Sequence, residues 1–211
     1  MRFDLYVGRG KCCERDVMGV RKAMGNMASS LSTWGLRHLA HRPAANMPGK
    51  IALKIDPCII AESMDKITEG SIVVVGTNGK TTITNMIADA LERQGKSIAC
   101  NRTGANLAYG VATTLLQTKG AVEWGVFESD ELWLAHTLPQ VQADYVLLLN
   151  LFRDQLDRCG EIDRVQDAIA TALEQSPNTT LLYNADDPLC AIIAQRVPNK
   201  SIAFGVGEDM H

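Results

Sequence analysis

The sequence lacks any long apolar run. Its uninterrupted hydrophobic stretches are short, such as four residues at 72–75 and five at 145–149, whereas a membrane-crossing helix needs roughly 20. A transmembrane segment is therefore not expected. The first residues are basic but lack the apolar core of a signal peptide. Paired cysteines are missing too: Cys12, Cys13, Cys58, Cys100, Cys159 and Cys190 are scattered and form no C-x-x-C. That spacing builds no zinc site and no disulfide framework, and it points to free thiols in a reducing cytoplasm. Charged residues make up only 21% of the chain, in mixed sign, which excludes a disordered polyelectrolyte.

What is present fits a folded α/β chain. The 211 residues are 46% hydrophobic, enough for a core in one domain with an appendage. Charge divides unevenly along the chain. Residues 1–50 hold nine basic and three acidic residues, and the remainder holds 12 basic and 21 acidic. The acidic part is unsuited to duplex nucleic acid, because neutralising phosphate requires the opposite sign. The basic leader, 1–46, reads as a helix over about 17–40 followed by a linker at Met47-Pro48-Gly49. A solvated amphipathic face and a contact with an anionic membrane or phosphorylated substrate are both open to it.

From residue 47 onward a second region begins, with a short helix expected over 58–68 and Gly70 as its stop. Strands are then expected at 71–75, 97–100, 122–127, 144–149, 180–183 and 201–204. Helices alternate with them at 80–94, 107–118, 131–137, 161–175 and 188–196. Such alternation specifies a doubly wound, mostly parallel sheet, whose ligands bind at the carboxyl ends of the strands. In the first of these helices, Ile83, Met86, Ile87, Ala90 and Leu91 form the expected buried stripe. Trp124 and Trp133 are expected in the core, and the four histidines at the surface.

The junction of the first strand and helix carries the chemistry. It reads Val73-Val74-Val75-Gly76-Thr77-Asn78-Gly79-Lys80-Thr81-Thr82. Glycines let the backbone turn so that consecutive N–H groups and the positive end of the helix converge on a phosphate chain. Lys80 adds a charge beside the terminal phosphates, and the Thr81 hydroxyl is placed to ligate Mg²⁺. The loop is shorter than the common G-x-x-x-x-G-K-[ST], since Val74 stands where the first glycine would be. Seven carboxylates follow later strands: Glu128, Asp130, Glu131, Asp154, Asp157, Asp186 and Asp187. Divalent cations reconcile such an acidic rim with a triphosphate. Glu128, which directly follows a buried strand, is the leading metal ligand. The segment 101–106 either contacts substrate or caps the next helix through Asn106. Asp157-Arg158-Cys159-Gly160 matches the D-x-x-G of GTPases, but no guanine-recognising [NT]-K-x-D accompanies it.

The loop from Gly76 to Thr82 resembles the ATP-binding signature of the Mur ligases and folylpolyglutamate synthases. The chain is more similar still to the MurT-type branch, the synthetase subunits of lipid II isoglutaminyl synthase. That likeness is carried by residues 48–57 (P-G-K-I-A-L-K-I-D-P), 103–107 (T-G-A-N-L) and 150–158 (N-L-F-R-D-Q-L-D-R). The resemblance implies a P-loop-type central domain over 47–211 that uses ATP and Mg²⁺. In the implied reaction ATP phosphorylates the α-carboxylate of D-glutamate in the lipid II stem peptide. Ammonia from a glutaminase partner of the GatD type, in a heterodimer, then gives D-isoglutamine. Carried over by position, Thr77, Asn78, Gly79, Lys80, Thr81 and Thr82 hold the phosphates, with Lys80 and Glu128 catalytic and Thr81 and Glu128 on Mg²⁺. Asn184 and Asp187 contact the nucleotide. Gln155 stands where ordinary Mur ligases carry a metal-linked His, and Cys159 stands where the MurT branch usually has Tyr. The family's zinc ribbon and C-terminal domain are expected beyond His211, so the central domain is read as incomplete and the fragment alone as inactive. A non-catalytic ATP-binding module and another amino-acid ligase of the Mur or folylpolyglutamate synthase type are the alternatives.

Overall fold

The computed structural model describes residues 47–152 and 161–206. The expected leader helix, Asp154, Gln155, Asp157, Cys159, His38, His41 and His211 lie outside them. Two helices come first, α1 (Met47–Ile55) and α2 (Ile59–Ser63), then a 3-10 turn (Met64–Lys66). The alternating part follows as β1 (Ile67–Val75), α3 (Lys80–Arg93), β2 (Ile98–Cys100), α4 (Ala108–Gln117), β3 (Val122–Glu128) and α5 (Leu134–Val141). It continues with β4 (Tyr145–Leu148), α6 (Glu161–Glu174), β5 (Thr180–Asn184), α7 (Pro188–Arg196) and β6 (Ser201–Phe204). All pairings are parallel, in the order β2-β3-β1-β4-β5-β6. The expected fold class is the one found.

β1 is central, paired with β3 on one side and β4 on the other. Val73, Val74 and Val75 are accordingly fully buried on both faces. Side-chain alternation splits the core. Val73, Val75, Phe127, Val146, Leu148 and Leu181 join the apolar stripes of α4, α5, α6 and α7 in one cluster. Val74, Val126 and Ala88 lie outside that cluster, on the face covered by α3. Each fully buried Val, Leu, Ile or Phe side chain contributes roughly 1.5–3 kcal/mol, so the helix-rich face carries most of the apolar stabilisation.

Five expectations are corrected. Met47-Pro48-Gly49 is the first turn of α1 rather than a linker. Proline is tolerated there because the first-turn N–H has no intrahelical partner. Gly49 is there for packing: a Cβ on it would lie 2.0 Å from Tyr109 O on α4, and its N–H donates to Thr113 Oγ1 at 2.9 Å. Gly70 stops no helix but lies inside β1, where the Trp124 ring covers it at 2.8 Å from a notional Cβ. On α3 the buried residues are Thr84 and Ala88, while Met86 is 60% exposed. Small side chains bring α3 close to β1 and β3, and Met86 on its outer flank stays exposed among the described residues. Trp133 is exposed rather than core, tilted against the exposed His136. Among the described cysteines, Cys100 and Cys190 are free thiols, whereas Cys58 is disulfide-bonded, against the expectation. No described helix is long and apolar enough to cross a membrane.

Candidate functional site at the carboxyl ends of the strands

Where β1 ends, the chain must turn sharply into α3 beneath the exit of β4. Gly76 has φ +147° and Gly79 φ +84°, conformations that L side chains rarely adopt. A Cβ on Gly76 would also meet Leu149 Cβ at 3.0 Å and the Asn150 backbone at 3.1 Å. Gly79 is the N-cap of α3 and supplies no side chain to it. The first N–H groups of a helix have no intrahelical acceptor. At Lys80, Thr81 and Thr82 they are therefore left for an anion, reinforced by the helix dipole.

The two residues before Gly79 are held differently. Thr77 N–H donates to Asn150 O at 2.9 Å, and Asn78 N–H donates to Asn150 Oδ1 at the same distance. Asn150 Nδ2 returns a bond to Asn78 O at 3.1 Å, and Phe152 N–H donates to Thr77 Oγ1 at 3.2 Å. Asn150, the second residue after β4, thus moulds the loop. Sequence reading quoted Asn150 only as part of a resemblance; its place soon after a buried strand was the available signal.

The Lys80 ammonium folds back over its own loop, donating to Gly76 O and, at 3.3 Å, to Thr77 O. It also lies 3.6 Å from Glu131 Oε2, both side chains being 13% exposed. Burial pushes the Glu131 carboxyl above its ordinary value, outweighing the opposing pull of the lysine.

Glu128 ends β3 and is 1% exposed. Its backbone is locked by Asn101, whose Oδ1 accepts from Glu128 N–H at 2.8 Å and whose Nδ2 donates to Glu128 O at 3.1 Å. The same Nδ2 donates to Ala105 O at 2.9 Å, which curls the loop after β2 over the site. Arg102 straps that loop to α3 through Asp89 (2.6 Å) and Glu92 (2.9 Å). Asn106 does not cap α4, because the N-cap is Leu107; Asn106 O instead accepts from Asp130 N–H at 2.8 Å. At Gly104, with φ +74°, a Cβ would stand 3.4 Å from Thr81 Oγ1 and 3.8 Å from Glu128 Oε1. The threonine hydroxyl and the carboxylate therefore border the same point.

Glu128 Oε2 is buried without a hydrogen-bond partner among the described residues. An isolated buried carboxylate oxygen is costly, and a divalent cation is the partner this donor set fits. No described cluster of three or more His, Cys, Asp or Glu could hold a metal alone. One carboxylate and one hydroxyl, completed by phosphate oxygens and water, is the way Mg²⁺ is commonly bound.

The other carboxylates divide. Asp130 Oδ1 accepts from Leu132 N–H within its own turn. Asp187 caps α7 through Leu189 and Cys190 N–H, and its Oδ2 accepts from Leu151 N–H at 2.7 Å. Asn184 Nδ2 donates to Leu149 O at 3.0 Å, and its Oδ1 accepts from Asp186 N–H at 3.0 Å. Asn184 and Asp187 thus tie the β5–α7 turn to the exit of β4, beside the Asn150 contacts that shape the glycine loop.

The chain and its fold are similar to known proteins. Residues 74–210 match the family model of the Mur ligase middle domain. The MurT subunit of lipid II isoglutaminyl synthase (glutamine-hydrolyzing) from Streptococcus pneumoniae is 34% identical over 191 residues, 89% of this chain and 41% of that protein. The corresponding Staphylococcus aureus subunit is 37% identical over 147 residues, 68% of this chain and 32% of its own length. The chain therefore spans less than half of these relatives. Among solved structures, MurF from Acinetobacter baumannii superposes with a TM-score of 0.64 at 22% identity, covering 76% of this chain and 35% of that one. MurF from Thermotoga maritima, in complex with ADP, gives 0.60 at 21% identity, covering 76% and 37%. The family model spans well over half of the chain, and the parallel sheet agrees with the fold of the solved relatives. The chain belongs to the Mur ligase middle-domain family.

Proposed function

We propose that the chain is the ATP-binding portion of a MurT-type synthetase subunit acting in peptidoglycan synthesis. Its reaction is ATP-dependent amidation of the α-carboxylate of D-glutamate in the lipid II stem peptide. The observation that carries the site assignment is the orphaned Glu128 Oε2 beside the Thr81 hydroxyl, at the mouth of a glycine loop that opens a helix without a side-chain cap. The choice of reaction is supported by the similarity to MurT subunits.

On this reading the backbone from Gly79 to Thr82 and the Lys80 ammonium hold the polyphosphate in line with the acceptor carboxylate. Thr77 and Asn78, pinned by Asn150, keep the loop in that shape. Thr81 and Glu128 would hold Mg²⁺, which supplies neutralisation of phosphate charge. Asn184 and Asp187 frame the nucleotide from the far side of the β4 exit. The acceptor carboxylate takes the γ-phosphoryl group of ATP, releasing ADP. Ammonia supplied by a glutaminase partner of the GatD type then displaces phosphate to leave the amide. The domain is assigned to residues 47–211, since α1 and α2 bury Ala52, Ile59 and Ile60 in its core. A cytoplasmic location, where lipid II is met at the inner membrane face, follows from the reaction. The part present here binds Mg-ATP without amidating.

The test is to express the chain in the full length its gene encodes, with a glutaminase subunit, and supply lipid II, glutamine and Mg-ATP. Mass spectrometry of the stem peptide is expected to show conversion of the D-glutamate α-carboxylate to the amide. Ligation of a free amino acid or of folate, with no amide formed, would contradict it.

A further inference from the structure

The ion pair between Lys80 and Glu131 plays no part in the reaction proposed above. Two carbonyls of the loop and one carboxylate surround the Lys80 ammonium. A phosphate that is to be held by this lysine meets a cation already partnered within the chain. Glu131 does not reach it by chance. The preceding residue is fixed at both ends, Asp130 N–H on Asn106 O and Asp130 Oδ1 on Leu132 N–H. Trp133 N–H closes the same turn on Asp130 O at 3.2 Å before α5 begins. The carboxylate is carried by a rigid turn to the spot where the ammonium rests.

We propose that Glu131 is a built-in counter-anion of Lys80 that competes with the nucleotide's polyphosphate for it, thereby setting affinity and phosphate-length preference. The inference rests on the nucleotide reading of the glycine loop. Two features make the contact displaceable. At 3.6 Å it is longer than the ~2.7–2.9 Å of a tight charge-assisted hydrogen bond. Burial also opposes the ionised carboxylate more than the lysine favours it. In such loops the lysine serves the β- and γ-phosphates, so the competition bears on tri- and diphosphates and spares AMP.

The experiment is calorimetric titration of the full chain with a non-hydrolysable ATP analogue, ADP and AMP in Mg²⁺, using parent, Glu131→Gln and Lys80→Ala. Glu131→Gln is expected to bind the ATP analogue roughly three- to tenfold tighter, about 0.7–1.4 kcal/mol, with AMP affinity unchanged. Glu131→Asp, with its shorter arm, is expected to give a smaller gain in the same direction and serves if the Gln variant folds poorly. Unchanged or weaker ATP-analogue affinity, or an equal gain for AMP, overturns the inference. It leaves the loop reading standing provided that Lys80→Ala has lost binding. Parent-like binding by Lys80→Ala overturns the loop reading, and the inference with it.

Discussion

The two ends of the sheet carry the same kinds of residue and treat them oppositely. At the amino ends of the strands, Lys96 Nζ is held by both Glu69 oxygens at 2.8 Å and by Glu123 Oε1 at 2.9 Å. Trp124 Nε1 donates to Glu69 at 3.0 Å, and Ser97 donates to Glu123 through both N–H (2.8 Å) and Oγ. Asp144 accepts from the Ser71 N–H and hydroxyl, tying β4 to β1. At the carboxyl ends, among the described residues, one oxygen of a buried glutamate has no partner, a lysine has a longer-range counterion, and a helix begins without a side-chain cap. The groups at the first pole are paired with one another, whereas at the second Glu128 Oε2 and the start of α3 lack a side-chain partner among the described residues, in keeping with the ligand site proposed there. Stability and binding should therefore respond in opposite ways to substitutions at the two poles.

The largest expected effect is at the loop. Lys80→Ala breaks a largely buried ion pair, each side chain 13% exposed, and should lower the melting temperature without ligand by a few degrees, about 2–4 °C per kcal/mol lost. It should abolish the stabilisation by Mg-ATP, which for the parent at 100 times the dissociation constant is about 2.7 kcal/mol. Thermal shift with and without nucleotide checks both halves.

Asp144→Ala is the mirror experiment. It strips the Ser71 N–H of its acceptor, and Ser71 is only 3% exposed. An unsatisfied buried donor costs about 1–3 kcal/mol. Urea denaturation should show that loss while calorimetry finds nucleotide affinity unaltered.

Glu128→Gln sharpens the contrast. Removing a buried charge with an unpartnered oxygen should raise ligand-free stability, by up to about 1 kcal/mol. The same change should weaken the Mg²⁺ dependence of ATP binding, measured by titrating the metal at fixed nucleotide.

The smallest effect is pH-linked, at the paired pole. The Ser97 N–H, followed by Lys96, holds the Glu123 carboxyl down at about 2. A carboxyl depressed in the folded state stabilises above its unfolded pKa, and that gain disappears as pH falls through the folded value. Glu123→Gln should therefore melt below the parent at neutral pH. The two melting temperatures should converge as pH falls from about 4.5 toward 2.

The sequence made the glycine loop and its flanking elements legible because they are contiguous. The strand run 72–75 and the G-T-N-G-K-T-T turn need no long-range information. Glu128 was readable for the same reason, as the first carboxylate after a buried strand. What escaped depends on contacts between segments distant in sequence. Asn150 reaches the loop across 72 residues, and Glu131 finds Lys80 only because β3 and β1 are neighbours. Pro48-Gly49 read as a breaker, yet the proline sits harmlessly in a first turn and the glycine is fixed by a helix crossing at Tyr109. The α3 stripe differs from expectation because periodicity gives the apolar face, not which residues a close strand contact covers. Small Thr84 and Ala88 took the interior, and Met86 stayed outside.

A structure of the chain with Mg²⁺ and a non-hydrolysable ATP analogue tests the central claim most directly. The account predicts the phosphates on the N–H groups of Gly79 to Thr82, with the metal joining Thr81 Oγ1, Glu128 and a phosphate oxygen. A nucleotide bound elsewhere, or a metal that leaves Glu128 untouched, would contradict it.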